Sequence, residues 1–171
     1  MVADTSLDLN AVDGSGWTAL MYAANFYHPD DKVFELLLQA NADPNRASLA
    51  GDTALMIAAQ NGRLNRTLLE HGADINAWNG RGVTLLMYLS QHANPGDIAA
   101  ALKAGADAGA RDAEGRTAVE YLKRAACGKA IVALPVVESS VLVLPPGCES
   151  KAVLESEALL TAAMRKGIAA R

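Results

Sequence analysis

The side chains with the most usable chemistry in this chain are four aspartates, three histidines, two cysteines and two tryptophans. Asp8, Asp43, Asp74 and Asp107 are hard oxygen donors, the type that holds divalent cations. Each stands in a separate segment, however, at spacings of 35, 31 and 33 residues. An aspartate in a turn of small residues hydrogen-bonds its own backbone two residues on, so these four read as turn residues. His28, His71 and His92 are scattered, and no His and Asp accompany a nucleophile. The chain contains neither Gly-x-Ser-x-Gly nor a phosphate-cradling loop. Cys127 and Cys148 lie outside any Cys-x-x-Cys pattern and could form one bridge or none. The expectation is a protein with no catalytic residues, no metal and no cofactor.

What positions these residues is a repeat. Gly16, Gly51, Gly82 and Gly115 follow the four aspartates at a constant offset, with the same spacings of 35, 31 and 33, and each precedes a threonine by two positions: Thr18, Thr53, Thr84 and Thr117. The turn is therefore held at fixed length while the helical part of each unit absorbs insertions and deletions. A fixed period in this range signals stacked units.

The repeated segments are Gly-x-Thr-Ala-Leu-Met-x-Ala-Ala, at Gly16 to Ala24 and Gly51 to Ala59, and Leu-Leu-Glu-His-Gly-Ala-Asp-Ile-Asn, at Leu68 to Asn76. They resemble the ankyrin repeat, whose signature is Thr-Pro-Leu-His-x-Ala at a period of about 33. The resemblance covers about Asp8 to Leu134. Ala19, Ala54, Leu85 and Ala118 replace the family's proline, while Met21, Met56, Met87 and Glu120 replace its histidine. The resemblance implies an all-α solenoid of helix-turn-helix units joined by hairpin-like turns.

Composition agrees with a folded chain of one-domain length: 171 residues, 51% hydrophobic and 20% charged. A formal charge of −4 with both signs interspersed offers no basic stripe to a phosphate backbone, so nucleic acid is not an expected partner. No apolar run approaches the roughly 18 to 20 residues of a membrane span, and Met1 to Asn10 does not read as a secretory signal. The default compartment is the cytoplasm.

Along the chain, Asp8 to Asp13 reads as the closing turn of a unit whose helices are missing. Thr18 to about Tyr27 is the first helix of repeat one, and a second, opened by Pro29, runs to Gln39. The extra residues of this unit fall in Tyr27-His28-Pro29-Asp30. Repeat two places helices at Thr53–Gln60 and about Leu64–His71. Repeat three places them at Thr84–His92 and from Asn94-Pro95-Gly96-Asp97 through Lys103. Repeat four opens on Thr117-Ala118-Val119-Glu120, a capping box, and Lys129 to Leu134 is a candidate second helix. The array is assigned to residues 1–134. Residues 135–171 hold a β-prone segment, Val136 to Pro146, and a helix over Ser150 to Ala170 that reads as a cap or as the first helix of a further unit.

Stacked units of this kind present a concave surface of turn tips and first helices, and the resemblance implies that this surface grips another protein. By their match to the family's variable positions, its residues are Trp17, Asp52, Val83 and Arg116 from the turns, and Trp78, Arg81 and Arg111 beside them. Asn25, Phe26, Gln60, Gln91 and His92 come from the ends of the first helices. Met21, Met56 and Met87 should line up as inter-repeat packing, and Tyr22, Tyr88 and Tyr121 should fill the core. A monomer is expected. Two other readings remain open: a regulatory portion of a larger enzyme, and stacking of a small ligand on the aromatic rings.

Overall fold

The computed structural model describes residues 8–26, 31–127 and 150–169. Among them are eight helices and no sheet: α1 (Ala19–Asn25), α2 (Asp31–Gln39), α3 (Ala54–Gln60), α4 (Arg66–Glu70), α5 (Leu85–Gln91), α6 (Pro95–Lys103), α7 (Ala118–Cys127) and α8 (Lys151–Ala169). The fold is the all-α repeat solenoid. None of these helices is long and apolar enough to cross a membrane. The Tyr27 to Asp30 insertion, the Lys129 to Leu134 helix, the Val136 to Pro146 segment and Cys148 all lie outside the described residues.

The first helices start where threonine stops being helical. Thr18 and Thr53 hold extended backbone, and their hydroxyls accept from the amides of Met21 and Met56, satisfying one of the free donors of each helix start. At Thr117 the expected capping box is one-sided. The Glu120 carboxylate reaches back to accept from the Thr117 amide at 2.8 Å and also takes the Thr117 hydroxyl, so the acid does the capping and Glu120 stays exposed. Asn65 and Asn94 cap α4 and α6. The Asn65 cap moves the start of α4 two residues beyond the expected Leu64.

The first helices form one row, α1 against α3, α3 against α5, α5 against α7, and second helices pack behind it, α2 against α4 and α6 against α8. Equivalent residues fill the seam: Met21, Met56 and Met87 are all buried, as are Leu20, Leu55 and Leu86. Small residues, Ala24, Ala59 and Ser90, let neighbouring helices approach closely. The expectation for the tyrosines needs correction. Tyr88 is buried, but Tyr121 is half-buried and Tyr22 is 46% exposed.

All four turns have one geometry. Gly16, Gly51, Gly82 and Gly115 have φ between 72° and 84°, and each glycine amide donates to the carbonyl three residues back, on Asp13, Ser48, Asn79 and Asp112. Adjacent tips are joined by single backbone bonds from Leu49 to Ser15, Gly80 to Ala50 and Ala113 to Arg81. A Cβ on Gly51 would lie 2.7 Å from the Gly80 amide nitrogen, whereas one on Gly115 would meet nothing. Gly51 is thus fixed by both its backbone conformation and its neighbour, and Gly115 by conformation alone.

The closing turns carry a second ladder. Asp8, Asp43, Asp74 and Asp107 each accept, through their own carboxylate, from the amide two residues on, the turn role expected from sequence. Between units the work falls to asparagine: Asn10, Asn45 and Asn76 accept from the amides of Asp43, Asp74 and Asp107 at 2.7–2.8 Å. The side-chain amides of Asn45 and Asn76 also donate to the Gly72 and Gly105 carbonyls. In the fourth copy this position is Gly109, and the ladder stops there.

At the same end of the stack, α8 packs against both α6 and α7. Those are the two neighbours that the second helix of repeat four would have: its own first helix and the preceding second helix. α8 therefore stands in the place of a second helix for repeat four. Val153, Ser156 and Leu160 form its buried stripe, at the spacing of one helix face. Lys123, standing where Ala24, Ala59 and Ser90 stand in the other units, pairs with Glu157 of α8 at 2.8 Å and is nearly buried.

Candidate functional site

Each turn is built around one polar residue five positions before the threonine. Asp13 accepts from the amides of Ser15 and Trp17, and Tyr22 donates its hydroxyl to the same carboxylate at 2.6 Å. Those bonds, the hydroxyl foremost, lower the Asp13 pKa and raise that of Tyr22. Asp112 repeats the arrangement: amides of Glu114 and Arg116, the Tyr121 hydroxyl at 2.8 Å, and additionally the Arg116 guanidinium at 2.6 Å. Burial would raise the Asp112 pKa, but these donors win and hold it at about 2. Burial and the adjacent carboxylate push Tyr121 up to about 12.

The third turn solves the same problem with a neighbour's charge. Asn79, buried, accepts from the amides of Arg81 and Val83 and donates to the Tyr88 hydroxyl at 3.0 Å and to Asp52 at 2.9 Å. Asp52 belongs to the preceding tip, so the carboxylate absent from position 79 is supplied from the previous unit. Burial, with the Asp52 charge second, raises the Tyr88 pKa.

Two grooves open between repeats three and four. The first, about 530 Å³, lies between their tips and is bordered by Trp78, Arg81, Arg111, Asp107 and Asp112. The second, about 460 Å³, lies between α5 and α7 and is bordered by Arg81, Tyr88, His92, Arg116, Tyr121 and Arg124. Its opening has a local cause. In the earlier units the residue after each first helix reaches back to the previous one: Asn61 donates to the Ala24 and Asn25 carbonyls, and His92 donates through Nε2 to the Gln60 carbonyl at 2.9 Å. The fourth unit has Ala125 at that position, with no side chain to bridge the gap.

The residues singled out from sequence divide accordingly. Trp78, Arg81, Gln91, His92, Arg111 and Arg116 border the two grooves. Trp78 is 69% exposed. Trp17, half-buried, packs against the core and stacks edge-to-face on Tyr22 with 5.2 Å between centroids. Asn25, Phe26 and Gln60 are exposed at the other end of the face, and Asp52 is engaged with Asn79. Val83 is 2% exposed and offers no side-chain surface. Arg116 is held by Asp112 and by Glu114 at 2.5 Å, with its guanidinium 5.1 Å from the Tyr121 ring. Arg124 and Tyr121 are among the groove residues that escaped the sequence reading. Arg124 is the fourth member of the series Asn25, Gln60, Gln91, and extending the register would have found it. Tyr121 was assigned to the core, though an acid nine positions earlier was the cue to its hydroxyl bond.

Among the described residues no group of three His, Cys, Asp or Glu side chains converges as a metal site. The sequence model of the family described as ankyrin repeats, in three copies, matches residues 20–112 of the chain.

Proposed function

The chain belongs to the ankyrin-repeat family, whose repeats mediate protein–protein interaction, and on that premise we propose that it is a non-enzymatic recognition module acting as a monomer. The partner is a protein held on the face made by the turn tips and first helices, with the contact centred on repeats three and four. The observation that carries this reading is Trp78, which keeps 69% of its surface exposed on a turn tip bordering the first groove. An indole so exposed is costly to leave in water. When buried it contributes much contact area at small entropic cost, which is why tryptophan dominates binding hot spots.

Nothing in the fold of repeat three depends on that ring, since the turn is held by Asn79 and the start of α5 by the Thr84 amide donating to the Met87 sulfur. A Trp78→Ala variant is therefore expected to keep its helical circular dichroism and urea midpoint while losing about tenfold or more in affinity for the partner recovered on the wild-type protein. Unchanged affinity in that variant removes this face as the binding surface.

A further inference from the structure

We propose that the partner segment received by the two grooves is an acidic stretch of polypeptide, its carboxylates seated on Arg81, Arg111 and Arg124. This rests on the protein-recognition reading above and adds the chemistry of the occupant. Arg81 borders both grooves, Arg111 only the tip groove and Arg124 only the helix groove, so the three mark one path across repeats three and four. Among the described residues none of the three has a carboxylate within ion-pair distance. Arg116, which stands on the same path, is already neutralised by Asp112 and Glu114. Arg111 is also oriented: its guanidinium donates to the Gly115 carbonyl at 2.7 Å.

Of the carboxylates near the grooves, Asp52 accepts from Asn79 and the Tyr88 hydroxyl. Asp112 is buried and committed to Arg116, and the Asp107 carboxylate accepts from the Gly109 amide. The carboxyl end of α5 adds a partial charge of roughly −0.5 at one wall, less than the full charges of Arg81 and Arg124 that face it. A planar guanidinium pairs with a carboxylate through two parallel hydrogen bonds, and Trp78 beside the path supplies apolar contact to the same segment. A polyphosphate backbone fits less well. Its affinity comes from releasing counterions along a long cationic track, and here three cations stand on a chain of net charge −4.

The test uses the full chain and fluorescence anisotropy with three labelled probes: a Glu-rich peptide, its Gln-substituted twin and a single-stranded oligothymidylate. The Glu-rich peptide is expected to bind at least about tenfold more tightly than its Gln twin and to weaken as salt rises. Arg81→Gln and Arg124→Gln should each reduce its affinity by about three- to tenfold. Arg66→Gln, on the exposed side of α4 away from both grooves, should leave it unchanged. Equal binding of the Glu and Gln peptides, no binding of either, an equal loss in Arg66→Gln, or tighter binding of the oligonucleotide each overturns the assignment. If Trp78→Ala abolishes partner capture while the arginine variants capture normally, protein recognition stands and the acidic occupant falls.

Discussion

At Asp112 the competition between burial and hydrogen bonding can be read as a pH dependence. The carboxyl side chain is 1% exposed, yet its pKa is about 2 against an ordinary 3.8. A folded-state pKa below the unfolded value means that folding favours the ionised form. The stabilisation is therefore complete above about pH 4 and is lost as the pH falls toward 2. It amounts to about 2 kcal/mol, an upper figure because Arg116 is partly solvated. Urea midpoints followed from pH 5 to pH 2 should fall more steeply in the wild type than in Asp112→Asn, which should already be destabilised by about 2 kcal/mol at pH 7 through the charge left on Arg116. Parallel curves would show that this carboxylate contributes nothing. The residue was hidden from sequence reading because the spacing of Asp8, Asp43, Asp74 and Asp107 drew attention to the closing turns. The acids at 13 and 112 flank Ser48 and Asn79 in the series and leave no single-letter pattern.

The elements most easily read from sequence were those fixed by backbone need. A glycine at positive φ two positions before a capping threonine leaves few alternatives, and all four turns superimpose in hydrogen bonding. The role of α8 was not legible. Val153, Ser156 and Leu160 have the spacing of any amphipathic helix, and only packing against α6 and α7 shows which place in the stack it takes. The docking predicts two outcomes. Leu160→Ala, at a site with no exposure, should cost about 2–4 kcal/mol in urea unfolding. Lys123→Met alone, leaving Glu157 without its cation, should cost more than Lys123→Met combined with Glu157→Leu, since replacing both members of a shielded pair is cheaper than orphaning one. A double variant less stable than the single one would contradict this account of the α7–α8 contact.

Across the whole molecule the units are coupled by the tip bonds, the asparagine ladder and the row of methionines, so stability depends on nearest-neighbour contacts. Asn45 and Asn76 each make two bonds to the next unit, while Asn10 makes one. Alanine at 45 or 76 should therefore cost about 1–2 kcal/mol, and alanine at 10 about half as much, in equilibrium urea denaturation. An Asn10→Ala cost equal to the others would mean that the ladder does not act bond by bond. Part of the candidate face was legible as a register, since Trp78, Arg81, Gln91, His92, Arg111 and Arg116 border the grooves. The grooves themselves were not, because they arise from what Ala125 fails to reach.

In repeat three, α5 ends at Gln91 and α6 begins at Pro95, whereas α7 ends at Cys127 and its packing partner α8 begins only at Lys151. Joining two helices across the longer separation restricts more chain, so docking α8 on α7 carries a larger loop-closure entropy than docking α6 on α5.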